Sequence, residues 1–232
     1  VAGDHVVVRA DNDVRDTAHL VRTVRRWLDL DADVDVINTV LGRDELLAPL
    51  VKQRPGMRVP TTVDPWETLI RAVAGQQVSV AGATTVLGRL ARLTHGSGTQ
   101  GLHAFPSASE LGTVDVGDIA SCGMPGARAQ TIAALAARVN TGELNLRDVD
   151  VSATCQQLLT IRGIGPWTVD YFRMRGLGDP DAFPETDLIL KQNAKRAGMA
   201  AHSRELLTRA AHWRPWRAYA AHHLWNLAKE SM

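Results

Sequence analysis

Residues 158–168 have the sequence Leu-Leu-Thr-Ile-Arg-Gly-Ile-Gly-Pro-Trp-Thr, and this stretch decides the fold. Gly163 and Gly165 flank a single apolar residue, and glycine permits the positive φ and close backbone approach that a tight turn needs. Pro166 suits the first turn of a helix, where its missing N–H costs no hydrogen bond. The stretch therefore predicts a helix, a tight turn and a second helix.

The predicted turn is suited to binding an anion such as a phosphate. Its N–H groups and those of the following helix start point the same way, and they bind anions without a formal positive charge. A bare Gly-x-Gly more often marks an ordinary helix–turn–helix corner. Leu159, Ile161 and Ile164 have the apolar spacing of a hairpin that plugs into a core, and the Pro-Trp-Thr that follows also favours the phosphate-binding interpretation.

A single aspartate, Asp187, follows Gly165 by 22 residues, at the end of the sequence Phe-Pro-Glu-Thr-Asp. It falls in the first turn of a helix predicted to begin near Pro184, where the helix dipole favours a charged carboxylate. By position alone, a helix-capping acid and a catalytic carboxylate are equally good interpretations. Glu185 lies on another face of that helix and is interpreted as a helix-start charge.

Composition excludes several classes of protein. The 232 residues carry a net charge of +1 and 45% hydrophobic residues, which fits one large or two small domains. No apolar run approaches the ~20 residues that span a bilayer, and no secretory signal is evident, so we expect a cytoplasmic monomer without membrane association. Cys122 and Cys155 are too few for a disulfide framework, a zinc site or a four-cysteine iron–sulfur cluster, and we expect them to be small buried residues.

The segment 159–191 resembles the helix-hairpin-helix/Gly-Pro-Asp superfamily of DNA glycosylases. Within it, the segment is most similar to the bacterial 3-methyladenine DNA glycosylase II (alkylbase DNA glycosylase) family. The resemblance extends from about residue 5 to the C-terminus. Further stretches that agree are Arg-Pro-Gly-Met-Arg-Val-Pro at 54–60, Gly-Gln-Gln-Val-Ser-Val at 75–80, Trp-Arg-Pro-Trp-Arg at 213–217 and His-Leu-Trp at 223–225.

The resemblance implies a mainly α fold, with two helical subdomains around a cleft and a remnant strand and helix of an N-terminal α/β domain. Residues 1–60 would hold that remnant, with a strand at 5–9, and the first helices of the helical domain. Residues 61–178 would form the subdomain with the hairpin at 158–175. Residues 179–232 would carry the catalytic aspartate and pack with the N-terminal helices. Most of the α/β domain of the relatives would be absent.

The resemblance also implies an activity. Such an enzyme flips an alkylated purine such as 3-methyladenine out of double-stranded DNA and hydrolyses its glycosidic bond, which leaves an abasic site in base excision repair. Asp187 matches the catalytic aspartate of the family. Trp167 stands where bifunctional relatives carry a Schiff-base lysine, so we predict a monofunctional enzyme without lyase activity. The setting would be the bacterial nucleoid.

Aromatic residues would form the substrate pocket. Trp167, Tyr171 and Trp225 match the family's pocket aromatics, which attract a cationic base through their ring quadrupoles. Packing in the core is the alternative interpretation of all three. Leu188, where close relatives have a tyrosine, and Gln76 complete the predicted pocket.

The other predicted contacts lie in two loops. Gln77 occupies the position of the wedge that fills the space left by the flipped nucleotide, although both Gln76 and Gln77 could instead cap helix ends. No cofactor is expected beyond a monovalent cation, Na⁺ or K⁺, in the hairpin. The residues predicted to bind phosphate are Gly163, Gly165, Trp167 and Thr168, and those predicted to hold the cation through main-chain oxygens are Leu159, Ile161 and Ile164.

Two competing functions remain open from the sequence. The first is a related glycosylase for oxidised or deaminated bases. The second is a hairpin DNA-binding module that has lost its chemistry. Asp187 argues against the second, whereas Leu188 and the missing N-terminal domain argue for it.

Overall fold

A computed structural model describes residues 5–9, 16–95, 104–146, 150–199 and 202–227. Regular structure in these ranges is helical, which confirms the predicted mainly α fold. The helices are α1 Thr17–Trp27, α2 Val34–Leu41, α3 Ala48–Gln53, α4 Pro65–Ala74, α5 Val80–His95, α6 Ala108–Leu111, α7 Val116–Ser121, α8 Gly126–Asn140, α9 Val151–Leu159, α10 Pro166–Phe172, α11 Leu188–Arg196, α12 Ser203–Ala210 and α13 Arg217–Asn226.

The predicted remnant strand at residues 5–9 is wrong. These residues have no regular secondary structure, and the side chains of Val6, Val7 and Val8 are exposed. A strand is stable only when a neighbouring strand takes up its backbone hydrogen bonds, and none of the described ranges contains one. The strand predicted from these residues therefore has no partner in the described ranges.

Aspartates determine where many of the helices begin. In each case the side chain accepts a hydrogen bond from a backbone N–H in the first turn, which satisfies one of the donors that a helix start leaves unpaired. The aspartates that cap in this way are Asp16, Asp33, Asp64, Asp115, Asp150 and Asp187.

The buried apolar side chains of the described residues form two clusters, in agreement with the predicted pair of helical subdomains. The first cluster extends from Trp66 to Phe172 and includes the hairpin residues Ile161 and Ile164. The second combines residues 37–59 with residues 174–224. Helix α10 packs against α4 in the first subdomain, and α11 packs against α13 in the second.

The chain crosses between the two clusters in a π-helical turn, Arg173–Leu177, that continues α10. Phe172 belongs to the first cluster and Met174 to the second. Gly176 packs directly on the ring of Phe172, where a Cβ atom would lie 2.5 Å from two ring carbons. A side chain at this position would therefore disrupt the junction of the two subdomains.

Candidate active site

The hairpin between α9 and α10 depends on Gly163. This residue has a φ of +92°, and a Cβ atom on it would overlap the Thr131 hydroxyl. The same hydroxyl donates to the carbonyl oxygen of Arg162 over 2.9 Å, which ties the hairpin to α8. The turn is closed by a hydrogen bond of 3.0 Å from the N–H of Ile164 to the carbonyl oxygen of Ile161. Only glycine satisfies both the conformation and the close approach at this position.

The structure places Gln76 on the hairpin. Its side-chain amide donates to the carbonyl oxygen of Gly163 over 2.9 Å and to the hydroxyl of Thr168 over 3.0 Å. The loop between α4 and α5 is thereby fixed to the turn. Thr168 is buried, so a phosphate would meet its backbone N–H rather than its hydroxyl. The predicted pocket role of Gln76 and phosphate role of Thr168 both stay predictions.

Gln77, the next residue, is exposed and has a φ of +56°. A non-glycine residue in the left-handed region is uncommon and costs on the order of 1–3 kcal/mol, so the surrounding structure must hold it there. The neighbouring Gln76 supplies such an anchor. The side chain of Gln77 thus projects from a fixed loop beside the hairpin, and its wedge role stays a prediction.

The Asp187 carboxylate receives three hydrogen bonds. Its Oδ1 accepts from the backbone N–H of Leu190 over 2.7 Å and from the indole N–H of Trp225 over 3.0 Å. Its Oδ2 accepts from the indole N–H of Trp167 over 2.8 Å. The side chain therefore caps α11 and is also held between two aromatic residues from different helices. The capping and catalytic interpretations are compatible, and Oδ2 retains a lone pair that can accept a further donor.

Two of the predicted pocket aromatics, Trp167 and Trp225, contact this carboxylate, and the third, Tyr171, packs against Trp167. Trp167 and Tyr171 stack with ring centroids 5.4 Å apart and planes inclined by 21°. Trp225 packs against His222, with ring centroids 5.2 Å apart. All three aromatics are half-buried rather than enclosed in a core, and Leu188 beside Asp187 is 63% exposed. Their roles in binding a base stay predictions, but the structure brings them together.

Trp27 and Arg175 were not among the predicted site residues. Trp27 ends α1 with 45% of its surface exposed. With Tyr171 and Arg175 it lines a cavity of about 320 Å³. None of the described residues of α1 is buried.

Sequence reasoning also missed a cluster of charges next to the aromatics. Burial raises the pKa of Asp170 to about 6, an effect that the nearby Arg173 opposes and Glu185 reinforces. Arg173 pairs with Asp170 over 3.1 Å and with Asp179 over 2.6 Å. The spacing of Asp170 and Arg173, three residues apart on one helix, is visible in the sequence, whereas the contact with Asp179 depends on how the chain turns after that helix.

The described ranges contain no group of three or more His, Cys, Asp or Glu side chains that could hold a metal ion. A main-chain cation site at Leu159, Ile161 and Ile164 stays a prediction. The carbonyl oxygen of Ile161 already accepts the hydrogen bond from Ile164 and has one lone pair left for a cation. Among the helices of the described part of the chain, none is long and apolar enough to cross a bilayer.

The sequence is similar to those of known repair proteins. Residues 2–64 match the family model of the AlkA N-terminal domain. The chain is 44% identical over 231 residues to the "Probable bifunctional transcriptional activator/DNA repair enzyme AlkA" of Mycobacterium tuberculosis, an alignment covering 97% of this chain and 46% of that protein. The chain thus spans about half the length of that relative. It is 34% identical over 212 residues to DNA-3-methyladenine glycosylase 2 of Escherichia coli, covering 90% of this chain and 71% of that protein.

Solved structures share the fold. The 3-methyladenine DNA glycosylase Mag1 of Schizosaccharomyces pombe, in complex with abasic DNA, superposes with a TM-score of 0.72 at 25% identity, covering 83% of this chain and 96% of that one. The 3-methyladenine DNA glycosylase of Archaeoglobus fulgidus superposes with a TM-score of 0.82, covering 96% of this chain and 78% of that one. Its identity is only 21%, so this second similarity concerns the fold alone.

Proposed function

Because the chain belongs to the DNA-3-methyladenine glycosylase 2 family, we propose that it excises alkylated purines, such as 3-methyladenine, from duplex DNA by hydrolysis. The observation that carries the proposal is the position of Asp187. Its carboxylate is held at 2.8 Å and 3.0 Å by the indoles of Trp167 and Trp225 and lies next to the helix that follows the glycine hairpin. An acid among aromatics beside a phosphate-binding turn is what base excision requires.

The reaction begins when the damaged nucleotide leaves the helical stack. The bond between C1′ and the base nitrogen then breaks, its electron pair leaves with the base, and the sugar becomes an oxocarbenium ion. The Asp187 carboxylate stabilises that positive charge and orients a water molecule towards C1′. The water oxygen bonds to C1′, its proton passes to Asp187 or solvent, and an abasic site remains.

Aromatic residues favour alkylated bases over ordinary ones. N-alkylation at N3 or N7 makes the purine of a nucleotide cationic, and a cation over an indole or phenol ring gains roughly 0.5–2 kcal/mol, depending on desolvation. The stacked pair Trp167 and Tyr171 offers such a surface next to the negative Asp187. The same alkylation weakens the glycosidic bond, so a pocket of modest selectivity suffices.

The proposed reaction ends at the abasic site. A lyase of this superfamily needs an amine to form a Schiff base, and position 167 carries an indole whose N–H is directed at Asp187. We therefore propose a monofunctional enzyme. The proposed chemistry uses only water and side chains, and it needs no cofactor.

DNA binding would use the hairpin and the neighbouring loop. The backbone N–H groups of Gly163, Gly165, Trp167 and Thr168 would hold a phosphate, and a monovalent cation on the main-chain oxygens would strengthen that contact. Gln77 would enter the duplex and hydrogen-bond the orphaned base. The enzyme would act as a monomer on the chromosomal DNA of the bacterial cytoplasm.

Replacing Asp187 tests the proposal. We expect Asp187→Asn to retain the helix cap and duplex binding but to lose release of 3-methyladenine from methylated DNA by about 10²–10⁴-fold. Asp115→Asn is the matched control, because Asp115 caps α7 through Gly117 and lies outside the site. If the two variants release methylated bases at equal rates, Asp187 is not catalytic.

A panel of lesions tests the substrate class. Duplexes with methylated purines, 8-oxoguanine, hypoxanthine or uracil should be compared at one salt concentration, because DNA affinity depends strongly on salt. We expect methylated purines to be released fastest. Preferential release of an oxidised or deaminated base would assign the chain to the other kind of glycosylase, and no release of any base would favour the inactive DNA-binding module.

A further inference from the structure

At the junction between the two subdomains, one arginine pairs with an aspartate on α10 and with another in the segment that follows the π-helical turn. Arg173 is the first residue of the π-helical turn and lies between Phe172 of the first cluster and Met174 of the second. Its guanidinium donates through Nη1 to Asp170 on α10 over 3.1 Å. It also donates through Nε and Nη2 to Asp179, over 3.1 Å and 2.6 Å. Its carbonyl oxygen accepts the N–H of Asp179 over 3.0 Å.

The Asp179 segment continues this connection to α13. Asp179 accepts the N–H of Asp181 over 2.8 Å. The Asp181 carboxylate in turn accepts two hydrogen bonds, of 2.7 Å and 2.9 Å, from Arg217, the first residue of α13. The carbonyl oxygen of Pro180 accepts the N–H of Ala218 over 2.9 Å. The start of α13 is therefore fixed to the segment that Arg173 holds.

These contacts close a ring around the candidate active site. Helix α10 carries Trp167, α13 carries Trp225, and both indoles donate to Asp187. On the opposite side of this ring, Arg173 pairs α10 with the Asp179 segment, and the contact of Arg217 with Asp181 fixes that segment to α13. Arg175 of the same turn adds a direct contact of 3.3 Å with His222 of α13. Any change in the spacing of α10 and α13 would therefore move the two indoles relative to the carboxylate between them.

We propose that Arg173 is a positioning residue that fixes Asp187 relative to the hairpin by locking the subdomain junction. The proposal rests on the proposed function, because it assigns Asp187 the catalytic role. Arg173 touches neither Asp187 nor the hairpin turn in the described contacts, so it acts through Asp170 and Asp179. Without its guanidinium, Asp170 and Asp179 would lose the one cation that both carboxylates contact in the described structure, and Asp170 would keep only its interaction with Arg217.

Arg173→Met tests this role, with Arg209→Met as the matched control. Arg209 makes an equally paired contact with Asp44, over 2.8 Å and 2.6 Å, but away from the junction. The two arginine side chains are similarly exposed, at 27% and 30%. Both variants should lower thermal stability, so rates are measured well below both melting temperatures.

Of these two variants, only Arg173→Met should slow the excision step. We expect its single-turnover excision rate to fall about 10–100-fold, the effect of a reacting group displaced by about 1 Å, while its affinity for the duplex changes by less than about twofold. Arg173→Lys should recover most of the rate, since it retains the charge. Equal rates in Arg173→Met and Arg209→Met, or a Lys variant as slow as the Met variant, would overturn the proposal.

A second measurement does not depend on activity. The indole N–H resonances of Trp167 and Trp225, identified by their loss in Trp→Phe variants, report the hydrogen bonds to Asp187. Arg173→Met should shift both, and Arg209→Met should shift neither. Unmoved resonances in Arg173→Met would overturn the positioning role even if excision fails for another reason. If the unmodified protein releases no base, the proposed function fails while this measurement still decides the role of Arg173.

Discussion

The hairpin and the Asp187 segment, the two halves of the candidate site, are built on different principles. The hairpin turn is closed by a backbone hydrogen bond between residues 161 and 164, only three positions apart. The Asp187 carboxylate is held by side chains 20 and 38 residues away. One half is thus a local conformation, whereas the other is a product of the tertiary fold. We therefore expect hairpin variants to lower stability and DNA affinity, and variants around Asp187 to lower the excision rate.

Gly163→Ala should have the largest effect on the hairpin. Alanine is strained at a φ of +92°, and its Cβ would also overlap the Thr131 hydroxyl. We therefore expect the free energy of unfolding to fall by about 3 kcal/mol or more, and duplex binding to weaken. Denaturant unfolding and a binding titration at fixed salt measure the two quantities. Gly165→Ala is the control for stability, because a Cβ there meets nothing within 4 Å. Equal losses in the two variants would contradict this account of the hairpin.

The same contrast explains what the sequence could predict. The hairpin and most helix starts follow from glycine, proline and aspartate spacing, which act over a few residues. The helix predicted to begin near Pro184 instead begins at Leu188, with Asp187 as its N-cap. The ties from Gln76 to the hairpin and from Trp225 to Asp187 could not be predicted, because they join segments that only the fold brings together. The strand predicted at residues 5–9 failed for the same reason, since a strand depends on a partner elsewhere in the chain.

His223 offers a test of stability that leaves the hairpin unchanged. This fully buried residue of α13 has its pKa lowered from 6.5 to about 4 by burial and by the positive Arg54. Between pH 6.5 and 4 the unfolded chain therefore takes up a proton that the folded chain does not, and folding stability falls on acidification. The loss should reach about 3 kcal/mol near pH 4. Unfolding in denaturant at a series of pH values measures it.

The protonation of Asp170 changes the folding stability in the opposite direction, so its contribution must be separated from that of His223. Its pKa is raised from 3.8 to about 6, so between pH 6 and 3.8 the folded chain binds the extra proton and acidification favours folding. The informative quantity is therefore the difference in stability between the unmodified protein and His223→Leu. That difference should shift in favour of the variant as the pH falls below 6.5. A difference that does not change with pH would contradict the low pKa of His223.

Trp225→Phe tests the segment around Asp187. The variant keeps an aromatic ring but loses the N–H that donates to Oδ1 over 3.0 Å. A hydrogen bond to a charged group contributes about 1.5–3 kcal/mol, so we expect the single-turnover excision rate to fall about 10–100-fold with little change in duplex affinity. Trp213→Phe removes an equivalent indole N–H, which donates to Asp44 over 2.8 Å rather than to Asp187. If Trp213→Phe slows excision as much, the loss reflects general destabilisation instead.

Variants of the adjacent residues Gln76 and Gln77 should show the smallest difference in the free energy of unfolding. Gln76→Met removes two hydrogen bonds, to Gly163 and Thr168, and should lower the free energy of unfolding by about 1–2 kcal/mol and weaken duplex binding several-fold. Gln77→Gly should leave stability unchanged or raise it, because the relief of the φ of +56° is at least as large as the roughly 0.5–1 kcal/mol cost of a freer unfolded chain. Denaturant unfolding of the two variants measures this difference. If Gln76→Met proves as stable as Gln77→Gly, the hairpin keeps its conformation without the hydrogen bonds from Gln76. The conformation of the turn would then depend on the hairpin residues and Thr131 alone.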